Sequence, residues 1–398
     1  MSTVQPRVLL ILSALMSLAS ISTDIYLPAM PALATGLHAE ISQVALTLSS
    51  FLIGFSLGQL IWGPISDRYG RRVPIAIGMV LFMAGSVGCA LSDSVSQMLG
   101  WRVVQAAGAC AGPVLARAIV RDLYAREHAA RMMSTLMLVM GIAPLVGPLL
   151  GGQILVYSSW RGIFWFLVVL GGLILFSLRG LPETLTEERR ATTPLSSAFR
   201  DYYDLVRDPR LLGCALSGGF FYAGVYAFLA GTPFAYIQYY HVRPQLYGFL
   251  FGLNIVAMML ANFTNSRLVM RVGPERMLRL GGWVVALAGV VLAVNALFGW
   301  GGLAGLVAPI FFYVGMNGFI VANSVAAALS AFPNRAGSAS SLVGAIHFGS
   351  GILSSAMVGW FADGTPWTMG WIMGLMGLGC LAAAAGSFGI QRRRANAA

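Results

Sequence analysis

Gly63-Pro64-Ile65-Ser66-Asp67-Arg68-Tyr69-Gly70-Arg71-Arg72 gathers an acid, three arginines and two glycines into ten residues. The chain around it is 58% hydrophobic and only 10% charged. Long apolar runs flank the stretch on both sides, so it reads as a short loop at a membrane surface. Its glycines permit a tight reversal, and its charges hold it at the water interface.

A mean hydropathy of +0.78 lies far outside the range of soluble domains, because the few polar residues could not cover such a core. Lipid is therefore the solvent for much of the surface. In lipid the backbone must satisfy its own hydrogen bonds, which leaves helices or a closed barrel. The apolar runs are ~20 residues long and continuous rather than alternating, which selects helices. The fold class expected is all-α and polytopic.

Twelve spans are expected, roughly at 7–28, 44–66, 73–91, 95–120, 132–157, 160–181, 211–239, 245–270, 277–298, 301–332, 336–361 and 366–390. The first run resembles a signal peptide, with Arg7 before it and Ala32-Leu33-Ala34 after it. That reading is rejected because the run continues through Asp24, Tyr26 and Pro28, and eleven spans follow. A polar break at 182–210, with Glu187-Glu188-Arg189-Arg190 and Pro194, divides the chain. The expected organisation is a six-helix half over 1–181, a cytoplasmic linker over 182–210 and a second six-helix half over 211–398. Most of the linker is expected to be a solvated connection.

Net charge is +11, and all 25 basic residues are arginine. Arg161 and Arg243 fall in odd-numbered loops and Arg102 and Arg117 inside helix 4; the other 21 lie in the even-numbered loops and termini. This asymmetry sets both termini in the cytoplasm. The basic balance therefore points to membrane topology, and no nucleic-acid partner is expected. Cys89, Cys110, Cys214 and Cys380 lie in apolar runs without metal spacing, so neither a disulfide framework nor a metal is expected.

Asp24 is the one acid embedded in a span away from a loop. Such a residue normally faces the bundle interior or a wet cavity. Desolvation favours its neutral form and a nearby cation its charged form, so it could load and release a proton. Arg102, in helix 4, needs a partner; Asp24 is the natural carboxylate if helices 1 and 4 are neighbours. Arg117, nearer the cytoplasmic end, is expected to snorkel inward. Candidates for lining a substrate cavity are Asp24, Tyr26, Gln105, Tyr222, Tyr226, Asn254, Asn317 and His347. Tyr222 and Tyr226, four apart, share a face. His347 is read as a buried neutral ring rather than a titrating group, since no carboxylate lies beside it in sequence.

The opening stretch, G-x-x-x-D-R-x-G-R-R, resembles the loop between helices 2 and 3 of major facilitator superfamily transporters. An echo, Arg271-Val272-Gly273-Pro274-Glu275-Arg276, follows helix 8 with Met270 in place of the acid. Arg102-x-x-Gln105-x-x-Gly108 is similar to the helix 4 motif of facilitator antiporters, where the arginine is tied to proton coupling. Gly141, Pro144, Gly147, Pro148, Gly151 and Gly152 on helix 5 look like the antiporter motif of drug-efflux facilitators. Ser22-Thr23-Asp24-Ile25-Tyr26-Leu27-Pro28, Arg121-Asp122-Leu123-Tyr124 and Leu181-Pro182-Glu183-Thr184-Leu185 resemble the Bcr/CflA (bicyclomycin resistance) branch of drug:proton antiporters, over nearly the whole chain.

The resemblance implies efflux of small drugs (bicyclomycin, sulfonamide or chloramphenicol-like compounds) driven by inward proton flow through a bacterial inner membrane. It implies no cofactor and a functional monomer. Asp24 and Arg102 would couple protons. Gly63, Asp67, Arg68, Gly70, Arg71 and Arg72 would form a conformational latch, with Asp67 docking at the Ala336-Gly337-Ser338-Ala339 start of helix 11. Met16 stands where related multidrug facilitators carry a glutamate, which implies neutral or weakly charged cargo. The alternatives are an uptake symporter on the same fold and, less favoured, a polytopic enzyme. The second lacks a clustered set of catalytic groups, since His38, His128, His241 and His347 are scattered.

Overall fold

The computed structural model describes residues 6–124, 126–190, 195–332 and 335–395. Among them every regular element is helical. Twelve helices are long and apolar enough to cross a membrane: helix 1, Pro6–Gly36; helix 2, Ile41–Tyr69; helix 3, Arg72–Ala90; helix 4, Val95–Leu123; helix 5, Val139–Tyr157 within Arg126–Tyr157; helix 6, Trp160–Gly180; helix 7, Leu211–Tyr239; helix 8, Pro244–Val272; helix 9, Pro274–Phe298; helix 10, Gly302–Ala331; helix 11, Gly337–Trp360; and helix 12, Trp367–Gly386. All twelve expected spans are present, with ends displaced by a few residues.

The largest displacement is in helix 1, which runs past Pro28 to Gly36. The α-helix ends at Asp24, a 3-10 turn covers Leu27–Ala29, and an α-helix resumes at Met30–Gly36. Pro28 and Pro31 occupy first-turn positions of those segments, where a missing N–H costs nothing and the fixed φ suits the helix. Proline here restarts a helix rather than stopping one. Helices 7 and 10 are also interrupted, by π-helical turns at Pro233–Tyr239 and Gly318–Ala322.

Two compact units divide the chain. The first holds residues 1–39, 50–197 and 244–248, and the second holds 40–49, 198–243 and 249–398. Inside the first, helix 1 packs on helices 4 and 5, and helix 3 on helices 4 and 6. Inside the second, helix 7 packs on helices 11 and 12, and helix 9 on helices 10 and 12. The pairings 1 with 5 and 3 with 6 thus recur as 7 with 11 and 9 with 12. Small residues make these approaches possible. A Cβ on Gly85 of helix 3 would overlap the backbone of Gln105, and one on Gly108 would meet the Phe82 backbone, so helices 3 and 4 touch main chain to main chain.

The connection between the units is not a simple solvated strand. Residues 191–194, Pro194 among them, lie outside the described residues, but Leu195–Val206 is a helix. Its Tyr202 and Leu205 are buried. Asp201 and Asp204 lie 3.7 and 3.8 Å from the guanidinium of Arg335, two residues before helix 11.

Candidate functional site

Asp24 ends the regular part of helix 1 and is 5% exposed. Just before it, the Ser22 and Thr23 hydroxyls both donate to the Ala19 carbonyl, a pattern that competes with the helical ladder and prepares the break. Helix 5 covers this turn with its glycines. A Cβ on Gly147 would sit 3.1 Å from the Asp24 Cβ and 3.2 Å from the Ile25 nitrogen, and one on Gly151 would overlap the Ile25 carbonyl oxygen. Pro148 and Gly152 are buried in the same stretch, and Gly141 and Pro144 are half-buried. Gly152 faces the backbone of Pro244 and Gln245 at the start of helix 8, and Gly248 faces Leu149. The glycine- and proline-rich motif is thus the wall against which the membrane-embedded carboxylate is packed.

Arg102 is fully buried. It neither snorkels nor pairs with Asp24. Its Nη1 donates to the Gln105 Oε1 at 2.6 Å and to the Ser22 carbonyl at 3.4 Å. Its guanidinium lies 4.2 Å from the centroid of the Tyr26 ring and 4.4 Å from that of Phe51, a sandwich of two cation–π contacts. Gln105 is fixed in turn, since its Nε2 donates to the Ser86 Oγ at 2.8 Å and that hydroxyl donates to the Phe82 carbonyl. The Nε and Nη2 donors of Arg102 are buried without a hydrogen-bond partner. Helices 1 and 4 are neighbours, as expected, but the arginine meets the backbone of Ser22 and the ring of Tyr26 on either side of Asp24 rather than its carboxylate. Sequence could not show that two aromatic rings would take the place of a counter-ion. Arg117 is half-buried, with its Nη2 donating to the Gln59 Oε1 at 3.5 Å.

The expected loop over 63–72 narrows to Gly70 and Arg71, because helix 2 runs on to Tyr69 and helix 3 begins at Arg72; at this turn the three arginines separate by role. Arg68 and Arg72 are exposed and Arg71 is buried. The Arg71 Nη1 donates to Asp67 at 2.6 Å and to the Ser66 Oγ at 2.7 Å, while its Nε donates to Asp122 at 2.8 Å. Burial alone would lower the pKa of this guanidinium; its bonds to Asp122 and Asp67 outweigh burial and raise it. Asp67 is therefore held by Arg71 of its own loop. Glu183, just past helix 6, braces the same turn. Its carboxylate accepts the backbone N–H groups of Arg71 (2.8 Å), Arg72 (3.0 Å), Thr184 and Leu185. Burial pushes its pKa up, but these four donors prevail and hold it below the usual value. The Thr184 hydroxyl closes the ring by donating to Asp122 at 3.2 Å.

Gly70 adopts φ +86°, and a Cβ there would meet the Glu183 carboxylate at 2.7 Å. The echo repeats the backbone angle without the carboxylate contact: Gly273 has the same φ, +86°, with nothing within 4 Å. Asp122 and Glu183 lie in family-like stretches, and sequence alone assigns them no task. The signal available in sequence was that acids flanking helix ends must balance a buried arginine.

In the second unit, Tyr222 stacks on His347 with centroids 5.1 Å apart, and on Tyr226 at 6.1 Å. Phe348 meets both tyrosines. The imidazole Nε2 is buried without a partner and lies over Gly218. Asn254 and Asn317 are not drawn into this group. The Asn254 Nδ2 reaches the Leu250 carbonyl of its own helix at 3.4 Å, and its Oδ1 is buried unpartnered. Asn317 is half-buried before the π-helical turn of helix 10.

Residues 12–355 match the profile of the Major Facilitator Superfamily. A bicyclomycin resistance protein homolog of Haemophilus influenzae is 34% identical over 88% of this chain and 88% of its own length. A chloramphenicol resistance protein of Pseudomonas aeruginosa is 31% identical over 82% of this chain and 75% of its own. Among solved structures, the xylose transporter XylE from E. coli, in a partially occluded inward open conformation, superposes with a TM-score of 0.75. It covers 95% of this chain and 96% of that one at 17% identity, a likeness of fold alone.

Proposed function

This chain belongs to the Major Facilitator Superfamily, and within it we propose a proton-driven exporter of small drugs in a bacterial inner membrane, with both termini cytoplasmic. It is a multi-pass membrane protein of a transporter family. The observation that carries the export reading is the seating of Gly147 and Gly151 on the Asp24 turn. The helix 5 motif and the embedded carboxylate form one structural unit, so a change in the charge of Asp24 is felt by the motif's backbone. The names of the bicyclomycin and chloramphenicol resistance relatives support a drug as cargo.

Proton binding from outside neutralises Asp24 and drug binding from the cytoplasm follows in alternation, by alternating access. Arg102 supports this cycle as a fixed positive charge. Held by Gln105, Ser22 and two rings, it keeps two donors uncommitted beside the helix 1 break. No cofactor takes part; the proton gradient supplies the energy. The loop network of Asp67, Arg71, Asp122 and Glu183 sets the cytoplasmic end of the first half and biases which side is open.

Asp24→Asn tests the reading. In everted vesicles with an imposed pH gradient it abolishes drug-driven proton release and uphill export, while the purified protein melts as the wild type does. Full uphill export by the mutant would overturn the assignment.

A further inference from the structure

Helices 9 and 12 of the second unit meet along a seam of glycines. A Cβ on Gly289 would meet the Met373 carbonyl oxygen at 2.9 Å, and one on Gly377 the Val285 carbonyl oxygen at 2.8 Å. The two helices therefore run antiparallel and touch main chain to main chain. Beside the seam lies an open groove of about 360 Å³, lined by Trp283, Leu287 and Val290 of helix 9 and by Leu378 and Leu381 of helix 12. Trp283, Leu287 and Leu378 are exposed, so the groove opens outward on the flank of this unit.

One end of the groove is charged. Helix 9 begins at Pro274, and Arg276, Leu280, Trp283 and Leu287 follow at spacings of four, three and four, which is one face of a helix. Arg279, four residues before Trp283, lies on the same side. Arg276 is exposed. Arg279 is half-buried, with its Nη2 3.7 Å from Glu275 and its Nε buried without a hydrogen-bond partner. Arg267 and Arg271 stand in the last turns of helix 8, and helix 12 runs on through Arg392-Arg393-Arg394. An antiparallel neighbour ends where helix 9 begins, so all of these belong to one membrane face. Glu275 is the one acid in residues 264–279 and 378–398.

We propose that the groove holds one acyl chain of an anionic phospholipid whose phosphate is bound by Arg276 and Arg279. From Arg279 to Val290 the helix rises ~16 Å, about half of a ~30 Å hydrocarbon core and so the depth of one leaflet. A guanidinium fork suits a phosphate, basic clusters where membrane helices reach the surface suit acidic headgroups, and the Arg279 Nε is a donor still to be matched. A second copy of this chain fits less well, because a two-fold pairing along this face would bring the arginines of both chains together. The site needs only the arrangement of the spans and is independent of cargo and of the direction of transport.

Native mass spectrometry of the purified protein in detergent, titrated with palmitoyl-oleoyl phosphatidylglycerol or with phosphatidylethanolamine of the same chains, reads the tightest-bound lipid. The wild type is expected to hold phosphatidylglycerol at least fivefold more tightly than phosphatidylethanolamine. Arg276→Gln with Arg279→Gln should raise the phosphatidylglycerol Kd at least fivefold and move that of phosphatidylethanolamine less than twofold. Leu287→Trp, which fills the groove, should weaken both, and Arg161→Gln, at the opposite membrane face, should weaken neither. Should the double variant fail to fold, Arg276→Gln and Leu287→Trp, both at exposed positions, decide alone. Equal affinity of the wild type for the two lipids overturns the proposal, as does unchanged phosphatidylglycerol binding in Leu287→Trp. An Arg161→Gln variant as weak as the double variant would mean general surface charge, and a dimer lost in Leu287→Trp would give the groove to a second copy; either result also overturns it.

Discussion

The packing of helix 5 on the Asp24 turn makes a graded prediction for three glycines on one chain. Replacing an interior helical glycine by alanine gains about 1 kcal/mol of helix propensity. Forcing an added methyl into a packed contact costs about 1–3 kcal/mol. At Gly100 of helix 4 an added Cβ meets nothing within 4 Å, so only the gain applies. At Gly147 it would lie 3.1 Å from the Asp24 Cβ, which a few tenths of an ångström of movement relieves, but Pro148 follows and a Cβ before proline is disfavoured in a helix, so the cost outweighs the gain slightly. At Gly151 it would overlap the Ile25 carbonyl oxygen, which is backbone and cannot rotate away. There the cost sits at the upper end of the range, for a net loss of about 2 kcal/mol. The expected order of melting temperature is Gly100→Ala at or above wild type, Gly147→Ala slightly below it, and Gly151→Ala clearly below, read by intrinsic fluorescence on heating in detergent. Proton-driven export in everted vesicles should fall most for Gly151→Ala, because there helix 1 must shift at its break. If Gly151→Ala melts and transports like Gly100→Ala, the close seating of helix 5 on the Asp24 turn is wrong.

Three further outcomes follow from the same geometry. Gly70→Ala and Gly273→Ala both place a side chain at φ +86°, a cost of about 1–3 kcal/mol, but only Gly70 also meets Glu183, so its alanine variant should melt lower; equal melting would mean that Glu183 does not brace the turn. Glu183→Gln loses a charged acceptor for four backbone N–H groups. The wild-type carboxyl is held below its usual value, so its stabilisation is present above the unfolded glutamate pKa of about 4.3 and is lost as pH falls through the lower folded value; the melting gap between wild type and variant should narrow on acidification, and a gap that widens refutes the clamp. Arg102→Lys replaces a flat, forked cation with a point charge that cannot lie between Tyr26 and Phe51 and still reach Gln105 and Ser22, so export should fall on the order of tenfold with the melting temperature little changed; wild-type export would mean that charge alone matters.

The number of helices and their places were legible because each span must satisfy its backbone alone in lipid, and continuous hydropathy records that demand. The end of helix 1 was not, since Pro28 and Pro31 look like stops unless it is known that each falls in the first turn of a new segment. The residues of the site were legible by type, because a carboxylate and an arginine at membrane depth are too costly to be incidental. Their partners were not. Arg102 was expected to meet an acid and instead meets two rings and an amide. Which surfaces meet depends on helix rotation, and a hydropathy pattern fixes that poorly where both faces are apolar. Arg71 shows the same limit: three arginines of one loop differ in burial only because Asp122 and Glu183, 51 and 112 residues beyond Arg71, close around one of them.

Arg102 and Arg71 solve one problem in opposite ways, and the contrast bears on what each can do. Arg71 spends its donors on two carboxylates and a hydroxyl, near water, where any exchange of partner is screened and easily compensated. Its strength is positional: it fixes the turn between helices 2 and 3. Arg102 is fully buried, with one terminal nitrogen engaged and its Nε and Nη2 unpartnered. An uncompensated cation in such a setting persists only where the surroundings hold it firmly, and ring faces do so without neutralising it. A charge left unneutralised at the break of helix 1 interacts over a longer range than a closed ion pair, because little solvent screens it. In the proposed cycle a formed Arg102–Asp24 pair would trap the carboxylate in one state, and Arg102 is instead held by Gln105, Ser22 and two rings. A carboxylate that must take up a proton and release it every turn is better served by a nearby cation it does not bind than by one it does.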